Sequence, residues 1–331
     1  MKKNKKACPE QSRRVVCLGG GNAMPKVVIG GLKKYPVKIS AISAMLDSGG
    51  SAGRERKEYQ TQVAFGDFRR AALALSESSQ KDKDRFAYRY KSGPLAGHVM
   101  ANMYCSTGAM MTFDGKFEKA IEDLVEDIRD DLKISPQHKV LPSTLDNAHL
   151  AAELEDGTMV LGEANIDVPR HEGALKIKKV FLTPKAKAYP KAVQEINKAD
   201  LIVIGPGDLY SSLAQILLVD GIAAAIRKSR AKKVYICNIM TKHGETNNFS
   251  VADFAGEIEK MLGSELDYVL YNTAVPDNET LRNSKRTHRA LLAPVAFAKD
   301  LPMAKFLGRR LLSRGTIEHD AAKIAKALLV L

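Results

Sequence analysis

The sequence has no tryptophan, few aromatic residues and no long apolar run. Its 331 residues include 10 Tyr and 10 Phe, and none of these falls in a pattern typical of an RNA-binding module. No stretch approaches the roughly 20 apolar residues of a membrane span, and the basic N-terminus lacks the apolar segment of a secretory signal. The four cysteines, Cys8, Cys17, Cys105 and Cys237, do not have the spacing of a zinc site or a disulfide framework. We therefore expect a cytoplasmic protein without a membrane span.

Basic residues are in excess. The 51 Lys and Arg against 38 Asp and Glu give a formal charge of +13. Such a charge indicates an anionic partner, which is a nucleic acid, an acidic lipid or a phosphorylated metabolite. Because the sequence has no nucleic-acid-binding module, we favour a phosphate-bearing small molecule and expect no nucleic-acid partner. Part of the charge lies in residues 1–14, which we predict to form a basic disordered tail.

Short apolar runs that alternate with helical patterns predict an α/β fold. The run at 15–18 leads into a glycine turn and an apolar-periodic helix, and this rhythm resumes at Asp200. In between, the pattern changes to short strand-like pieces with a hairpin turn at Asp156-Gly157. We predict a single domain over 15–331, with a Rossmann-like, doubly wound, mainly parallel sheet and a small β-rich insertion at about 136–185.

Two glycine-rich turns follow predicted strands and precede predicted helices. Their candidate ligand-binding residues are Gly20, Gly21 and Asn22 in the first turn, and Gly205, Gly207, Asp208, Tyr210 and Ser211 in the second. Free N–H groups at a helix N-terminus suit a phosphate or a sugar. The first turn lacks the third glycine of the dinucleotide fingerprint, because Met24 stands in its place. A tight turn without a ligand explains this first turn about as well as a phosphate cradle does.

The loop after the second predicted strand combines an acid, glycines and a base: Asp47, Gly49, Gly50, Ser51 and Arg54. A carboxylate at a strand end accepts hydrogen bonds from a ribose or holds a hydrated cation, so Asp47 is our candidate metal ligand. Arg54 or its neighbour Arg56 is a candidate partner for phosphate oxygens. A surface loop with a solvated basic flank is an equally good interpretation of the composition.

Three further segments carry polar candidates. Asp67 and Arg69 open a predicted helix, where basic side chains oppose the helix dipole and so indicate an anion nearby. Plain N-capping is the simpler role for Asp67. His98 and Asn102 lie at the start of a later helix, where a lone histidine is more often structural. The last segment follows Cys237 and contributes Asn238, Thr241, Glu245 and Thr246.

Taken in order, these segments resemble the CofD-like superfamily, and within it the gluconeogenesis-factor (YvcK-like) branch. That branch carries the runs GGGTG, DDGGSSGRLR, PGDIR, GHSLGN, GPGSLYTS and CNVMTQPGET. The corresponding segments here are 19–23, 47–56, 66–69, 97–102, 205–212 and 237–246. The segments 141–144 and 152–157 match the branch as well, and His319-Asp320 matches a terminal His-Asp pair of the family.

The resemblance implies a Rossmann-like fold and a pocket for a nucleotide-diphosphate compound. The YvcK-like branch is linked to gluconeogenic growth, cell shape and UDP-sugar binding. We therefore expect a gluconeogenesis and morphogenesis factor that binds a nucleotide sugar such as UDP-N-acetylglucosamine. The alternative resembles the sister branch, 2-phospho-L-lactate transferase, and moves a phospholactyl-like group from a nucleotide-diphosphate donor with Mg²⁺. The sequence leaves open whether a reaction is catalysed and whether the chain forms a homo-oligomer.

The sequence departs from the family pattern in four places. Asn22 and Ala23 replace Thr-Gly, Ser48 replaces the second Asp of the acidic pair, Asp208 replaces Ser, and Glu318 replaces Arg before the His-Asp pair. The first two changes remove groups that support a phosphate or a metal, and the last two add carboxylates. They weaken the expectation that this chain binds the usual ligand of the family tightly.

Overall fold

A computed structural model of the protein describes residues 12–111, 116–169, 172–288 and 290–331. The predicted tail of residues 1–14 lies outside the described residues as far as residue 11, and Arg14 already belongs to the first strand. The strands, in chain order, are β1 (Arg14–Leu18), β2 (Lys38–Ser43), β3 (Lys139–Pro142), β4 (His149–Leu154), β5 (Met159–Leu161), β6 (Ile177–Thr183), β7 (Leu201–Ile204), β8 (Lys232–Ile236), β9 (Met240–Lys242), β10 (Tyr268–Asn272), β11 (Leu291–Pro294) and β12 (Phe306–Arg309).

The helices, in chain order, are α1 (Gly30–Leu32), α2 (Gly50–Glu58), α3 (Gly66–Leu75), α4 (Gln80–Ala87), α5 (Met100–Met110), α6 (Phe117–Asp131), α7 (Glu163–Asp167), α8 (Pro190–Lys198), α9 (Gln215–Leu217), α10 (Ile222–Lys228), α11 (Val251–Leu262), α12 (Asn278–Thr287) and α13 (Ala321–Leu329). Two short helices, α1 and α9, continue π-helical turns at Met24–Ile29 and Leu209–Ala214. Within the described ranges, no helix is both long enough and apolar enough to cross a membrane.

The strand order of the main sheet confirms the predicted fold class. The seven strands described run in the order β12-β10-β8-β7-β1-β2-β3, and each neighbouring pair is parallel. The chain builds outward from β1 through β2 to β3, and then returns to the opposite side of β1 with β7. The order therefore reverses between β1 and β7, which is where doubly wound sheets open a crevice for ligands.

Both faces of the main sheet are buried because its central strands are apolar throughout. Val16 and Leu18 of β1 pack into one hydrophobic core, which α8, α10 and α11 cover. Val15 and Cys17 pack into the other, beneath α3, α6 and α13. Side chains of a strand alternate between the faces, so a continuous apolar run requires helices on both sides. This packing holds the carboxyl end of β1 at the centre of the sheet edge.

A second, antiparallel sheet of order β5-β4-β6 falls within the segment predicted to be β-rich. The hairpin turn joins β4 to β5 at Asp156-Gly157 as predicted, and Asp156 accepts a hydrogen bond of 2.9 Å from the Thr158 N–H. In contrast, β3 pairs in parallel with β2 and belongs to the main sheet. The helix that follows β5, α7, carries two carboxylates to the carboxyl ends of the main strands.

Gly31 in α1 permits a close contact between two helices. A Cβ at this position would lie 2.4 Å from the carbonyl oxygen of Ala321, at the start of α13. We expect Gly31→Ala to displace α13 and to lower the free energy of unfolding by about 1–3 kcal/mol.

The matched control for this substitution is Gly30→Ala. A Cβ at Gly30 would meet its nearest neighbour, the carbonyl oxygen of Pro25, at 3.4 Å, and alanine is a better helix former than glycine. Urea unfolding compares the two variants. Equal stabilities of the two proteins would contradict the role of Gly31.

Candidate functional site

A cleft of about 240 Å³ lies at the carboxyl ends of β1, β7 and β8. It sits at the reversal of strand order, and its walls include several predicted site residues. Its lining comprises Asn22, Ala23, Lys26, Val27, Pro206, Gly207, Asp208, Asn238, Ile239, Met240, His288, Leu291, Ile317, Glu318 and His319. Another cavity, of about 330 Å³, lies between α6, α8 and the edge strand β3 and contains none of the predicted site residues. The first cleft is therefore the candidate site.

The glycine turn after β1 is tied to α3. The Gly21 N–H donates a hydrogen bond of 2.8 Å to Asp67, and Arg70 forms an ion pair of 2.5 Å with the same carboxylate. A Cβ at Gly20 would lie 1.9 Å from the other oxygen of Asp67, so only glycine fits there. Asp67, at the start of α3, thus fixes the position of the glycine turn after β1. This N–H group of the predicted phosphate cradle already has an anionic partner inside the protein.

The loop after β7 is held in the same way by Glu245. The N–H groups of Tyr210 and Ser211 donate to one oxygen of Glu245 at 3.0 and 3.1 Å, and the Ser211 hydroxyl donates to the other at 2.7 Å. Backbone N–H groups at the start of a helix attract an anion. In this structure, the anion is the buried carboxylate of Glu245.

Lys242, which the sequence patterns did not single out, lies at the centre of a cluster of carboxylates. Its Nζ is 2.9 Å from Asp208 and 2.7 Å from Glu245, and it also contacts Asp167. Burial lowers the pKa of Lys242, but the three carboxylates more than offset this, so its pKa lies above the usual range. Among the described residues, Asp167, Asp208 and Glu245 form the group whose carboxylate oxygens lie close enough together to bind a metal ion. The ammonium group of Lys242 is bound among them.

Asp47 lies in a second acidic pocket, beside Asp67 and Glu163. Desolvation and these two carboxylates raise the pKa of Asp47 well above its usual value. Gln215 donates a weak hydrogen bond of 3.4 Å to it. Glu163 of α7 accepts a hydrogen bond of 3.1 Å from the Ser48 N–H, and burial raises the pKa of Glu163 to about 7. These carboxylates are oxygen donors of the type that Mg²⁺ prefers.

Other predicted site residues form a buried polar network between α2 and α5, not part of the cleft lining. Ser51 donates to Glu55 at 2.6 Å, and the same oxygen lies 3.0 Å from His98. Asn102 donates to Ser51 at 3.1 Å and accepts from Arg69 at 2.8 Å. Each of these side chains is buried. These hydrogen bonds connect α2 with the start of α5.

The remaining candidates divide between exposed and internal positions. Arg54 is exposed and donates to the Ala96 carbonyl at 3.1 Å. Arg56 is buried instead, and its donors go to Leu46, Asn147 and Ala148, so it has the contacts of a structural residue.

Thr241 and Thr246 are buried and bond the backbone at Ala293 and Lys242. Gly50 has a positive φ of 57° at the start of α2, next to Gly49, the residue before that helix. Asn238 and Gly207 line the cleft, and Gly205 precedes Pro206 in the same wall.

Comparisons with known proteins show the family of this chain. Residues 15–303 match the family model described as 2-phospho-L-lactate transferase CofD. The chain belongs to the CofD family. It is 35% identical to the gluconeogenesis factor of Halalkalibacterium halodurans, over 96% of each chain. It is also 35% identical to the gluconeogenesis factor of Bacillus subtilis, over 96% of this chain and 98% of that one.

A solved structure supports the same assignment. The crystal structure of a UPF0052-family protein from Bacillus halodurans superimposes with a TM-score of 0.86 at 35% sequence identity, and the match covers 97% of this chain and 100% of that one. The gluconeogenesis-factor branch of the CofD family, which the sequence motifs indicated, is therefore confirmed.

The two carboxylates that this CofD-family chain adds to the motifs both have lysine partners. Asp208 pairs with Lys242, which stands where the family run CNVMTQPGET has Gln. Glu318 pairs with Lys26 across the rim of the cleft. Ser48, at the position of the second Asp, accepts a hydrogen bond of 2.9 Å from the Ala164 N–H. The added negative charge is thus balanced locally by two lysines.

Glu163 provides a test of the electrostatics of the acidic pocket. Because its pKa rises from 4.5 to about 7 on folding, the folded state holds its proton more tightly than the unfolded state does. Its contribution to stability is therefore complete at low pH and is lost as the pH rises through the folded pKa. Glu163→Gln should remove this loss and raise the melting temperature by about 2–4 °C above pH 7.

Melting curves at about pH 5 and above pH 7 check this expectation. The two proteins should differ little at the lower pH. Glu265→Gln, at an exposed site, is the control and should not change the pH dependence. The same pH dependence of stability in the wild type and in Glu163→Gln would contradict the raised pKa of Glu163.

Proposed function

We propose that this chain binds a nucleotide sugar, such as UDP-N-acetylglucosamine, in the cleft between the loops after β1 and β7, and acts as a cytoplasmic gluconeogenesis and morphogenesis factor. The observation that carries the proposal is the position of the cleft, at the reversal of strand order where open α/β sheets bind nucleotides. The relatives named gluconeogenesis factors support the cellular role. This role requires binding of the nucleotide sugar and no chemical reaction.

A neighbouring groove supports a diphosphate. This groove, of about 480 Å³, shares Asn22, Lys26 and Glu318 with the cleft, and its other charged residues are Arg70, Lys83 and Asp84. Guanidinium and ammonium groups are the partners that phosphate oxygens require. In this proposal, the diphosphate of a nucleotide sugar lies along the groove, beside Lys83 and the paired Lys26 and Arg70, and a hydroxyl-bearing part lies in the cleft.

Isothermal titration calorimetry with UDP-N-acetylglucosamine and a panel of other nucleotide sugars tests the proposal. We expect saturable heat with at least one member of the panel, in the presence or absence of Mg²⁺. Absence of heat with every member would refute nucleotide-sugar binding.

Asp47→Asn tests whether the acidic pocket belongs to the binding site. An amide cannot replace a carboxylate toward a cation or in a charge-assisted hydrogen bond, so ligand binding should weaken by roughly 1–3 kcal/mol. The melting temperature of the ligand-free variant should not fall, because the neutral amide removes repulsion from Asp67 and Glu163.

Asp156→Asn is the control, since Asp156 lies in the exposed hairpin turn away from the cleft. Wild-type affinity of the Asp47 variant, or equal losses in both variants, would exclude Asp47 from the site.

A transferase activity of the CofD type is the second candidate. It is favoured by the family match and by the oxygen donors of Asp47 and Asp67, which fit Mg²⁺. When bound there, Mg²⁺ would supply charge neutralisation at a diphosphate. Asp67 would keep its hydrogen bond to Gly21, and Arg70 would remain beside it.

Mass spectrometry of products from a guanylylated phospholactate and a deazaflavin acceptor, with and without Mg²⁺, tests this candidate. Turnover that disappears in Asp47→Asn would establish it in place of a purely binding role. The absence of product from a wild-type protein that binds nucleotides would leave the binding role alone.

A further inference from the structure

His319 occupies a fixed position in the wall of the candidate cleft. It lies between β12 and α13, and its backbone bridges to Leu312. The next residue, Asp320, donates its N–H to the Leu311 carbonyl at 2.7 Å and caps α13 through its side chain. His319 is 6% exposed and lines the cleft. Neighbours on both sides therefore hold the backbone of His319 in place in the wall of the cleft.

The Nε2 atom of His319 is buried, and it has no hydrogen-bond partner among the described residues. Burial lowers the pKa of the ring to about 4, although a hydrogen bond to the Cys237 backbone acts in the opposite direction. Because the Cys237 N–H already donates to Leu270, the ring bonds the Cys237 carbonyl and donates its proton there. A neutral imidazole has one N–H, so Nε2 is left as a bare acceptor.

A second acceptor in the same cleft is also without a partner. The Oδ1 atom of Asn238, the residue after Cys237, is buried and makes no hydrogen bond within the described ranges. Buried polar atoms without partners are rare and destabilising, and they point to a missing ligand or water. Asp208 and Glu318 add carboxylate acceptors to the lining, each already paired with a lysine.

We propose that His319 and Asn238 form a neutral acceptor pair that recognises hydrogen-bond donors of the ligand in this cleft. The inference deepens the proposed nucleotide-sugar binding and rests on it. The donors are O–H or N–H groups, which a nucleotide sugar offers from two sources, the hexose hydroxyls and the base. Phosphate oxygens ionised at neutral pH are acceptors only, and so are excluded from this part of the cleft.

Two substitutions at His319 separate hydrogen bonding from volume. His319→Phe keeps a ring but removes the acceptor, so its affinity for UDP-N-acetylglucosamine should fall roughly ten- to hundredfold. His319→Gln keeps an acceptor near the position of Nε2 and should bind within a few-fold of the wild type. His149→Phe, in β4 outside the cleft lining, is the control for a histidine-to-phenylalanine change. Melting curves of all variants report on folding.

Modified ligands test the same contact on the wild-type protein and identify the donor. One series lacks single hexose hydroxyls through deoxyfluoro substitution, and one analogue carries a methyl group on N3 of the uracil. We expect one analogue to bind the wild type more weakly but to show no further loss with His319→Phe, because both changes remove the same hydrogen bond. Coupling with a hexose analogue assigns the cleft to the sugar, and coupling with the methylated base assigns it to the base.

Each negative outcome has a distinct meaning. If the wild type binds UDP-N-acetylglucosamine and a folded His319→Phe protein binds it equally well, the acceptor pair is refuted and the proposed function stands. If His319→Phe does not fold, the analogues decide. Binding of every analogue to the wild type as tightly as UDP-N-acetylglucosamine refutes the acceptor pair and leaves the proposed function standing. If the wild type gives no heat with any nucleotide sugar, the proposed function fails and this inference fails with it.

Discussion

Two buried carboxylates hold the loops that follow the neighbouring strands β1 and β7 at the edge of the sheet. Asp67 binds the N–H of Gly21 after β1, and Glu245 binds the N–H groups of Tyr210 and Ser211 after β7. Both come from other parts of the chain, so each loop is held by a long-range contact. Helix N-termini attract anions, and in this fold the protein supplies them itself. The cleft between the loops therefore has fixed walls before any ligand arrives.

These internal anions require internal cations, and the balance extends to residues outside the family pattern. Lys242 is bound among Glu245, Asp208 and Asp167, while Arg70 pairs with Asp67. A buried ammonium group with fewer acidic neighbours would lose its proton or destabilise the fold. Asp208 in this chain thus accompanies Lys242, as one half of an ion pair. The replacement of Ser by Asp208 and the replacement of Gln by Lys242 are therefore explained together, as the two halves of one ion pair.

The sequence predicted the architecture well because that architecture depends on local patterns. Apolar runs followed by glycine turns located β1 and β7, and their reversal about the centre of the sheet follows from the doubly wound rule. It predicted the site less well, since polar residue type does not show where a side chain points. Ser51 and Asn102 resembled ligand contacts, yet they form a buried network around Glu55.

Long-range contacts explain the residues that the sequence did not single out. Glu163 reaches Ser48 from 115 positions away, and no spacing rule connects the two. Lys242 stood within a recognised motif, but its meaning depends on Asp167 and Asp208 in separate loops. β3 falls within the segment predicted as the β-rich insertion but pairs with β2 of the main sheet, because a strand of four residues carries too little pattern to fix its partner.

Part of the energetic cost within this fold lies around the candidate site. Asp47 is desolvated beside two other carboxylates, and the cleft holds two buried acceptors without partners. Each such group destabilises the ligand-free protein, by about 1–3 kcal/mol for an unpaired buried acceptor. Proteins retain unfavourable groups of this kind mainly where function requires them. A ligand or cation that satisfies these groups binds the folded state alone, and it therefore stabilises the fold by the same interactions that give it affinity.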